Sequence, residues 1–416
     1  MSTSRQIQGH FVLTPISPVH IGSGEILQGL DYTLRGDQFA VKDVLAFFEA
    51  HKDNTKYALD AVETGLDIGE DYVRYRIPAC AEPARKKRGP QRGGPPRKDQ
   101  PFLEGRRPRG RKTKMDAQMA KLQRQSARKY GASQTPKKPD PQSDGGGGEV
   151  RAFIKDPFGQ VFFPATSFKG TVRTALACHL AEQAPDAFAA ALRGVGRQRR
   201  QSPAFQPIKD ALFGRSAHED LLKALRIQDS QPLAPEACLF LAQVKVMNVF
   251  RGRFSEKRGV PIQAECLVPG TNGIRLPFQI DRFALERDHA LKRPLKGTGA
   301  ALLQDRAAFE HALRAHGAAL AQYESDFYAG QNETRAQRFF QNLIGSQHIH
   351  LPVGFGTGWH TKTVGRLIPE SDLARLRERG VLKRPAAAIF PKTRKWARCK
   401  EGELPMGWLK VAIEWK

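Results

Sequence analysis

Between Ala84 and Lys138 the chain carries 19 lysines and arginines against three acids, Asp99, Glu104 and Asp116. The run includes Arg85-Lys86-Lys87-Arg88-Gly89-Pro90 and Arg106-Arg107-Pro108-Arg109-Gly110-Arg111-Lys112, and Gly145-Gly146-Gly147-Gly148 follows it. So few apolar side chains cannot offset the entropy of ordering. Residues 81–149 therefore read as a disordered or partly ordered insertion, with Met115 to Lys129 as a short helix. Any core must be built from the flanks: residues 1–80 and 150–235 as one interrupted unit, and 236–416 as a C-terminal half.

The flanks can supply that core, since 40% of the 416 residues are hydrophobic. Sixteen of the 25 net positive charges lie in the tract. A pI near 10.1 points to a polyanionic partner, because phosphate backbones release counterions to Lys and Arg. The alternative, a merely soluble basic surface, needs far less charge. The five cysteines, Cys80, Cys178, Cys238, Cys266 and Cys399, form no C-x-x-C pair. That argues against a zinc ribbon or a disulfide framework and fits reduced thiols in a cytoplasm. No apolar run is long enough to span a membrane.

The flanks read as mixed α+β. Phe11 to Ser17 and Gln38 to Lys42 read as strands, with a Gly-rich bend at Gly22-Ser23-Gly24 and a helix from Asp43 to Ala50. Phe168, Val172, Ala175, Leu176 and Leu180 form one apolar face, predicting a helix over 167–184 with Ser167 as N-cap. Leu239 to Phe250 reads as a long strand. Thr271-Asn272-Gly273 predicts a hairpin between two strands over 265–281. Residues 300–328 and 334–344 read as helical. In the last strand Leu409, Val411, Ile413 and Trp415 share a face. Elements in this order, with Gly-rich bends, suit ferredoxin-like units.

Four segments combine residues that could grip a phosphate backbone. Thr14-Pro15-Ile16-Ser17-Pro18-Val19-His20-Ile21-Gly22-Ser23-Gly24 runs a strand into a loop where Gly22 and Gly24 let amides approach a ligand, with Ser23 between them and His20 able to stack or donate. Phe163-Pro164-Ala165-Thr166-Ser167-Phe168-Lys169-Gly170-Thr171-Val172-Arg173 sets hydroxyls, amides and two cations four residues apart at a helix start, a ready anion site. Gly354-Phe355-Gly356-Thr357-Gly358-Trp359-His360-Thr361-Lys362-Thr363 joins three alternate glycines to an aromatic, an imidazole, hydroxyls and a cation. That composition can hold phosphates while stacking a base. It lacks the spacing of a dinucleotide or Walker loop. Phe390-Pro391-Lys392-Thr393-Arg394 adds Lys392 and Arg394 before Pro405-Met406-Gly407-Trp408. For each segment the plainer reading is structural: a turn, a capped helix, a hairpin with Trp359 inside, solvated charge. His348 and His350 share a strand face without a third ligand, so no metal site is expected. No Ser-His-Asp set is evident.

In this order, with Leu225-Arg226-Ile227-Gln228-Asp229-Ser230 between the second and third, these segments resemble the RAMP superfamily of CRISPR-associated proteins. Within it they are similar to the Csm-type subunit that caps the backbone filament of type III-A effector complexes. The resemblance covers residues 10–50 and about 150–416, not the basic insertion. It implies a ferredoxin-like, RNA-recognition-motif-like core with insertions, with two ferredoxin-like halves as a further option. It implies a non-catalytic subunit holding the 3′ part of the guide RNA beside repeated backbone subunits. Target RNA and host nucleases for guide maturation are the further partners, and no cofactor is required. The RNA-facing or core-shaping parts would be His20 with Gly22 to Gly24, the helix start with Ser167, Lys169, Gly170 and Arg173, and Gly354 to Lys362. Three other readings compete. Asp31, soon after the His-Ile-Gly segment, stands near the position where related backbone subunits carry a metal-dependent cutting aspartate. His20 or His360 could cleave precursor RNA by general acid–base chemistry. The basic tract alone could act as a nonspecific nucleic-acid chaperone.

Overall fold

The structure, a computed structural model, describes residues 6–64, 67–80, 148–195, 205–250, 252–257, 262–382 and 390–416. The insertion, including the helix expected over Met115 to Lys129, lies outside these residues except for its last two.

Fifteen strands are described: β1 (Gln6–Pro15), β2 (Gly22–Leu27), β3 (Tyr32–Arg35), β4 (Gln38–Lys42), β5 (Val73–Pro78), β6 (Val150–Phe153), β7 (Leu225–Ile227), β8 (Leu239–Phe250), β9 (Arg253–Glu256), β10 (Ile262–Leu267), β11 (Ile274–Asp281), β12 (Ile349–Pro352), β13 (Thr393–Cys399), β14 (Gly402–Pro405) and β15 (Trp408–Trp415). The described helices of seven residues or more are α1 (Val44–Ala50), α2 (Thr55–Thr64), α3 (Ala165–Gln183), α4 (Pro185–Gly194), α5 (Gln206–Phe213), α6 (Thr298–Gln304), α7 (Arg306–Ala329), α8 (Thr334–Ile344) and α9 (Glu370–Glu378). The expected mixed α+β class holds.

Three sheets organise the described residues. The first is antiparallel, in the order β12-β15-β1-β11-β7. Alternation in β1 turns Phe11 and Leu13 inward, and both are fully buried. Phe11 meets Phe278 of β11 at 4.5 Å, Phe168 of α3 at 4.9 Å and Phe309 of α7 at 6.4 Å. One ring thus ties the central strand to both long helices, which shield that face from water. Helix α7 crosses β12 so closely that a Cβ on Gly317 would lie 1.9 Å from the His350 carbonyl oxygen. Only glycine allows that approach.

The second sheet runs β14-β13-β8-β10-β6-β2, with β9 beside β8. The third, β3-β4-β5, adds Tyr32, Phe39, Val41, Tyr75 and Ile77 to the main core, while α1, α2 and the loop before β5 form a separate small cluster of Phe47, Ala58, Ala61 and Ile68. The strands flanking Thr271-Asn272-Gly273 do not form a hairpin: β10 belongs to the second sheet and β11 to the first. Period-two alternation marks a strand but does not name its neighbour. Instead the turn carries the chain between sheets, held by Gly270 N–H donating to the Pro15 carbonyl at 2.7 Å. Gly22-Ser23-Gly24, read as a bend, opens β2, the exposed edge strand of the second sheet.

Candidate nucleic-acid interface

The segment from Ser17 to Ile21 threads between the first two sheets and is bonded on every side. Ser17 Oγ accepts from Trp408 N–H at 2.9 Å. The carbonyls of Pro18, Val19, His20 and Ile21 accept from Gly407, Leu267, Phe355 and Ile154 at 2.8 to 2.9 Å. Side chains at its centre are therefore enclosed. The His20 ring is buried between Phe153 and Phe355 at 6.2 and 5.7 Å, with Nδ1 2.7 Å from the Glu265 carbonyl. Burial lowers its pKa and keeps it neutral. His20 is a keystone that joins the first segment to the third. By contrast Gly22, Ser23 and Gly24 are exposed.

Glu265 anchors the keystone. Its fully buried carboxylate accepts from Tyr75 Oη at 2.5 Å, Phe153 N–H at 2.8 Å and Lys155 Nζ at 2.5 Å. Burial and the neighbouring carboxylate push the Tyr75 phenol far above its ordinary range, so it stays a donor.

Helix α3 starts one turn earlier than expected, with Pro164 rather than Ser167 at the N-cap. The cap comes from outside the helix: Asp229 Oδ1 accepts from Ala165 N–H at 2.6 Å, and Ser230 Oγ from Phe163 N–H at 2.8 Å. The Leu225–Ser230 motif thus seats the helix, and a carboxylate already answers its first amide. Lys169 donates to the Leu225 carbonyl at 2.7 Å. Arg173 grips Asp220 with two nitrogens at 3.2 and 2.8 Å and covers Phe213 at 4.3 Å. Both cations brace the helix internally. Thr166, Ser167 and Gly170 remain on the open side.

That side faces the Gly-rich loop. Gly354 has φ +85°, and a Cβ there would lie 2.4 Å from the His20 carbonyl. The chain then turns over through Thr357 Oγ1, which accepts from Thr361 Oγ1 at 3.0 Å. Together α3 and the loop enclose a cleft of about 320 Å³, lined by Thr166, Ser167, Gly170, Thr171, Thr174, Gly354, Thr357, Thr361 and Lys362. The second and third sequence segments are therefore brought together. The cleft is rich in hydroxyls and carries one ammonium. Gly358 is exposed at the turn. Trp359 is half-buried against Phe390 and His360 at 5.0 and 4.9 Å, so it buttresses the loop. His360 is buried beside Tyr323 at 4.3 Å, its pKa lowered to about 4 by burial and then by Arg394. Its neutral ring shapes the loop from within.

A Cβ on Gly356 would lie 3.2 Å from Lys395 Cβ of β13, and Phe355 lies across the same sheet face. Lys395 and Arg151 sit over the Phe355 ring at 4.9 and 5.1 Å. The fourth segment divides. Arg394 is buried, with Nε 2.6 Å from Glu324 and its guanidinium 3.8 Å over Phe327, whereas Lys392 is partly exposed. Sequence reading stopped one residue short of Lys395 and missed Arg151. Outward cations on strands carry no motif, and only the sheet order brings β6 and β13 to one loop.

Asp31 lies in a short 3-10 turn, its carboxylate accepting from Gln28 N–H at 2.8 Å. Among the described residues no cluster of three or more His, Cys, Asp or Glu is placed to hold a metal ion. No described helix is long and apolar enough to cross a membrane.

The chain matches the family described as the RAMP superfamily over residues 12–359. It belongs to the RAMP superfamily. Two relatives of this RAMP chain, each called CRISPR system Cms protein Csm5, come from Mycobacterium tuberculosis strains CDC 1551 / Oshkosh and ATCC 25618 / H37Rv. Each is 31% identical over 134 residues, which is 30% of this chain and 34% of the relative. The match thus spans about a third of the relatives' length. Among solved structures, a chain of the cryo-EM structure of a Csm-crRNA-target RNA ternary complex in the type III-A CRISPR-Cas system is similar, with TM-score 0.64 and 20% identity, over 97% of this chain and 100% of that one. The crystal structure of T. onnurineus Csm5 is similar with TM-score 0.55 and 18% identity, over 96% of this chain and 99% of that one. These likenesses establish the fold. The RAMP resemblance read from the sequence is borne out, and the relatives found are of the Csm kind.

Proposed function

We propose that this RAMP chain is a non-catalytic, RNA-binding subunit of a type III-A CRISPR ribonucleoprotein. In this reading it caps the backbone filament at the 3′ part of the guide RNA and assists guide maturation in cytoplasmic antiviral defence. The observation that carries it is the cleft where α3 and the Gly354–Lys362 loop converge. Hydroxyls can exchange hydrogen bonds with ribose 2′-OH groups and phosphate oxygens, and Lys362 adds charge without reading sequence. The exposed β2 edge at Ser23 and Gly24 offers a second main-chain surface. The Csm relatives supply the complex, and neighbouring RAMP subunits, target RNA and host nucleases are the further partners. The five-stranded sheet with α3 and α7 on one face is read as an elaborated ferredoxin-like unit, with the 1–80, 150–235 and 236–416 segments as its parts.

Purification with neighbouring gene products tests the proposal. The expected particle holds one copy of this chain and short RNA of uniform 5′ end. A particle at low ionic strength without ribonucleotide sinks it. The cutting alternative is tested separately: an Asp31→Ala complex should cleave target RNA as the parent does. Cleavage that persists with both His20 and His360 changed to Ala likewise removes the acid–base alternative.

A further inference from the structure

We infer that Arg151 and Lys395, both set over the Phe355 ring, form a phosphate-binding site beside the hydroxyl cleft that Lys362 lines, whose occupant is a phosphodiester of the bound strand. This rests on the RNA-binding reading above and deepens it.

The cations come from separate elements. Arg151 is on β6, Lys395 on β13, and both project from the face of the second sheet that Phe355 covers. Their hydrogen-bonded neighbours, Ala264 opposite Arg151 and Val246 opposite Lys395, offer no carboxylate. Among the described residues neither makes an ion pair, nor does Lys362, whereas Lys155, Arg173, Arg366 and Arg394 each have an acid within 4 Å. Lys395 is half-buried, and burial, then Lys362, then Arg151, all lower its proton affinity. Like charges gathered on one ring with no counterion raise the free energy of the empty protein, and an anion between them relieves it. The loop that lines the cleft also supplies Phe355 and Lys362, so one strand can lie on both. A phosphodiester suits the site better than a base, because the cations already occupy the ring.

The full chain, Lys395→Met and Arg151→Gln are compared in two measurements: melting in anion-poor buffer, and the salt dependence of affinity for a short mixed-sequence oligoribonucleotide. Met keeps the stem under Gly356 and removes the charge. Lys395→Met should melt about 1–3 °C higher than the parent, yet bind RNA with a log–log salt slope shallower by about 0.7. Arg151→Gln, exposed and safe for folding, should show the same loss of slope. A purely structural cation on Phe355 predicts the reverse: lower melting temperature and an unchanged slope. That result overturns the inference while the parent's RNA binding leaves the functional proposal standing. A parent chain that ignores the oligomer altogether overturns both.

Discussion

His316 and His360 are imidazoles enclosed in protein, 3% and 5% exposed. His316 has no hydrogen-bond partner at either ring nitrogen among the described residues. Burial, then Arg366, lowers its pKa to about 3; His360 falls to about 4. The unfolded chain takes up these protons near pH 6.5, so their neutral burial is fully tolerated above that pH. Stability is lost as pH falls from about 6.5 towards each folded value. By about pH 5 the loss is on the order of 2 kcal/mol per imidazole. Melting followed from pH 7 to pH 5 should show that decline, and His316→Leu should flatten it. An unchanged slope in the variant would show that His316 is solvated. Arg394 supports a second prediction. Removing it leaves Glu324 buried without its partner, so Arg394→Ala should cost about 3–5 kcal/mol in a urea titration. A variant with parental stability but weakened RNA binding would return Arg394 to the interface. Sequence could not make that distinction. Lys392, Arg394 and Lys395 look alike in one dimension, and Glu324 lies 70 residues away.

At the scale of elements, the Gly354 loop depends on its backbone. Gly354→Ala places a side chain at φ +85° and 2.4 Å from the His20 carbonyl. It should cost more than about 1 kcal/mol and reduce RNA affinity with it, because the loop must lift off the keystone. Gly358→Ala is the comparison, since φ is also positive there but the space is open. Equal melting temperatures for the two variants would mean that the close approach adds nothing. Local signals made several elements legible: β4, β8 and α8 run where their patterns placed them, and β15 buries Leu409 and Val411 as alternation required. Partnership was not legible. The Thr271-Asn272-Gly273 turn has hairpin chemistry yet joins two sheets, and α3 is capped by Asp229 from a motif 64 residues away. The candidate site followed the same division. Its loop and helix start could be named from glycines and hydroxyls, while Arg151 and Lys395 needed the strand order.

For the whole molecule, charge and fold are separable. Sixteen of the 25 net charges lie between residues 84 and 138. On the described side, the chain leaves at Cys80, whose N–H donates to the Leu241 carbonyl of β8 at 3.0 Å. It returns at Gly148, whose carbonyl accepts from Tyr32 Oη at 2.5 Å, just before Val150 pairs with Gln263 of β10. Strands β8 and β10 are neighbours, so both ends of the insertion are fixed by the sheet itself. Replacing residues 84–138 with a short Gly/Ser linker should therefore leave the melting temperature within about 2 °C of the parent, since the described core and both joins are unchanged. Affinity for arbitrary RNA should fall, and the salt slope should lose about 0.7 for each phosphate contact removed. Assembly with neighbouring subunits and retention of a defined RNA should persist, because under the proposed function those depend on the cleft. Loss of every RNA interaction by a folded deletion variant would mean that the glycine-rich loop and α3 grip nothing, and that the chain acts through its basic tract alone.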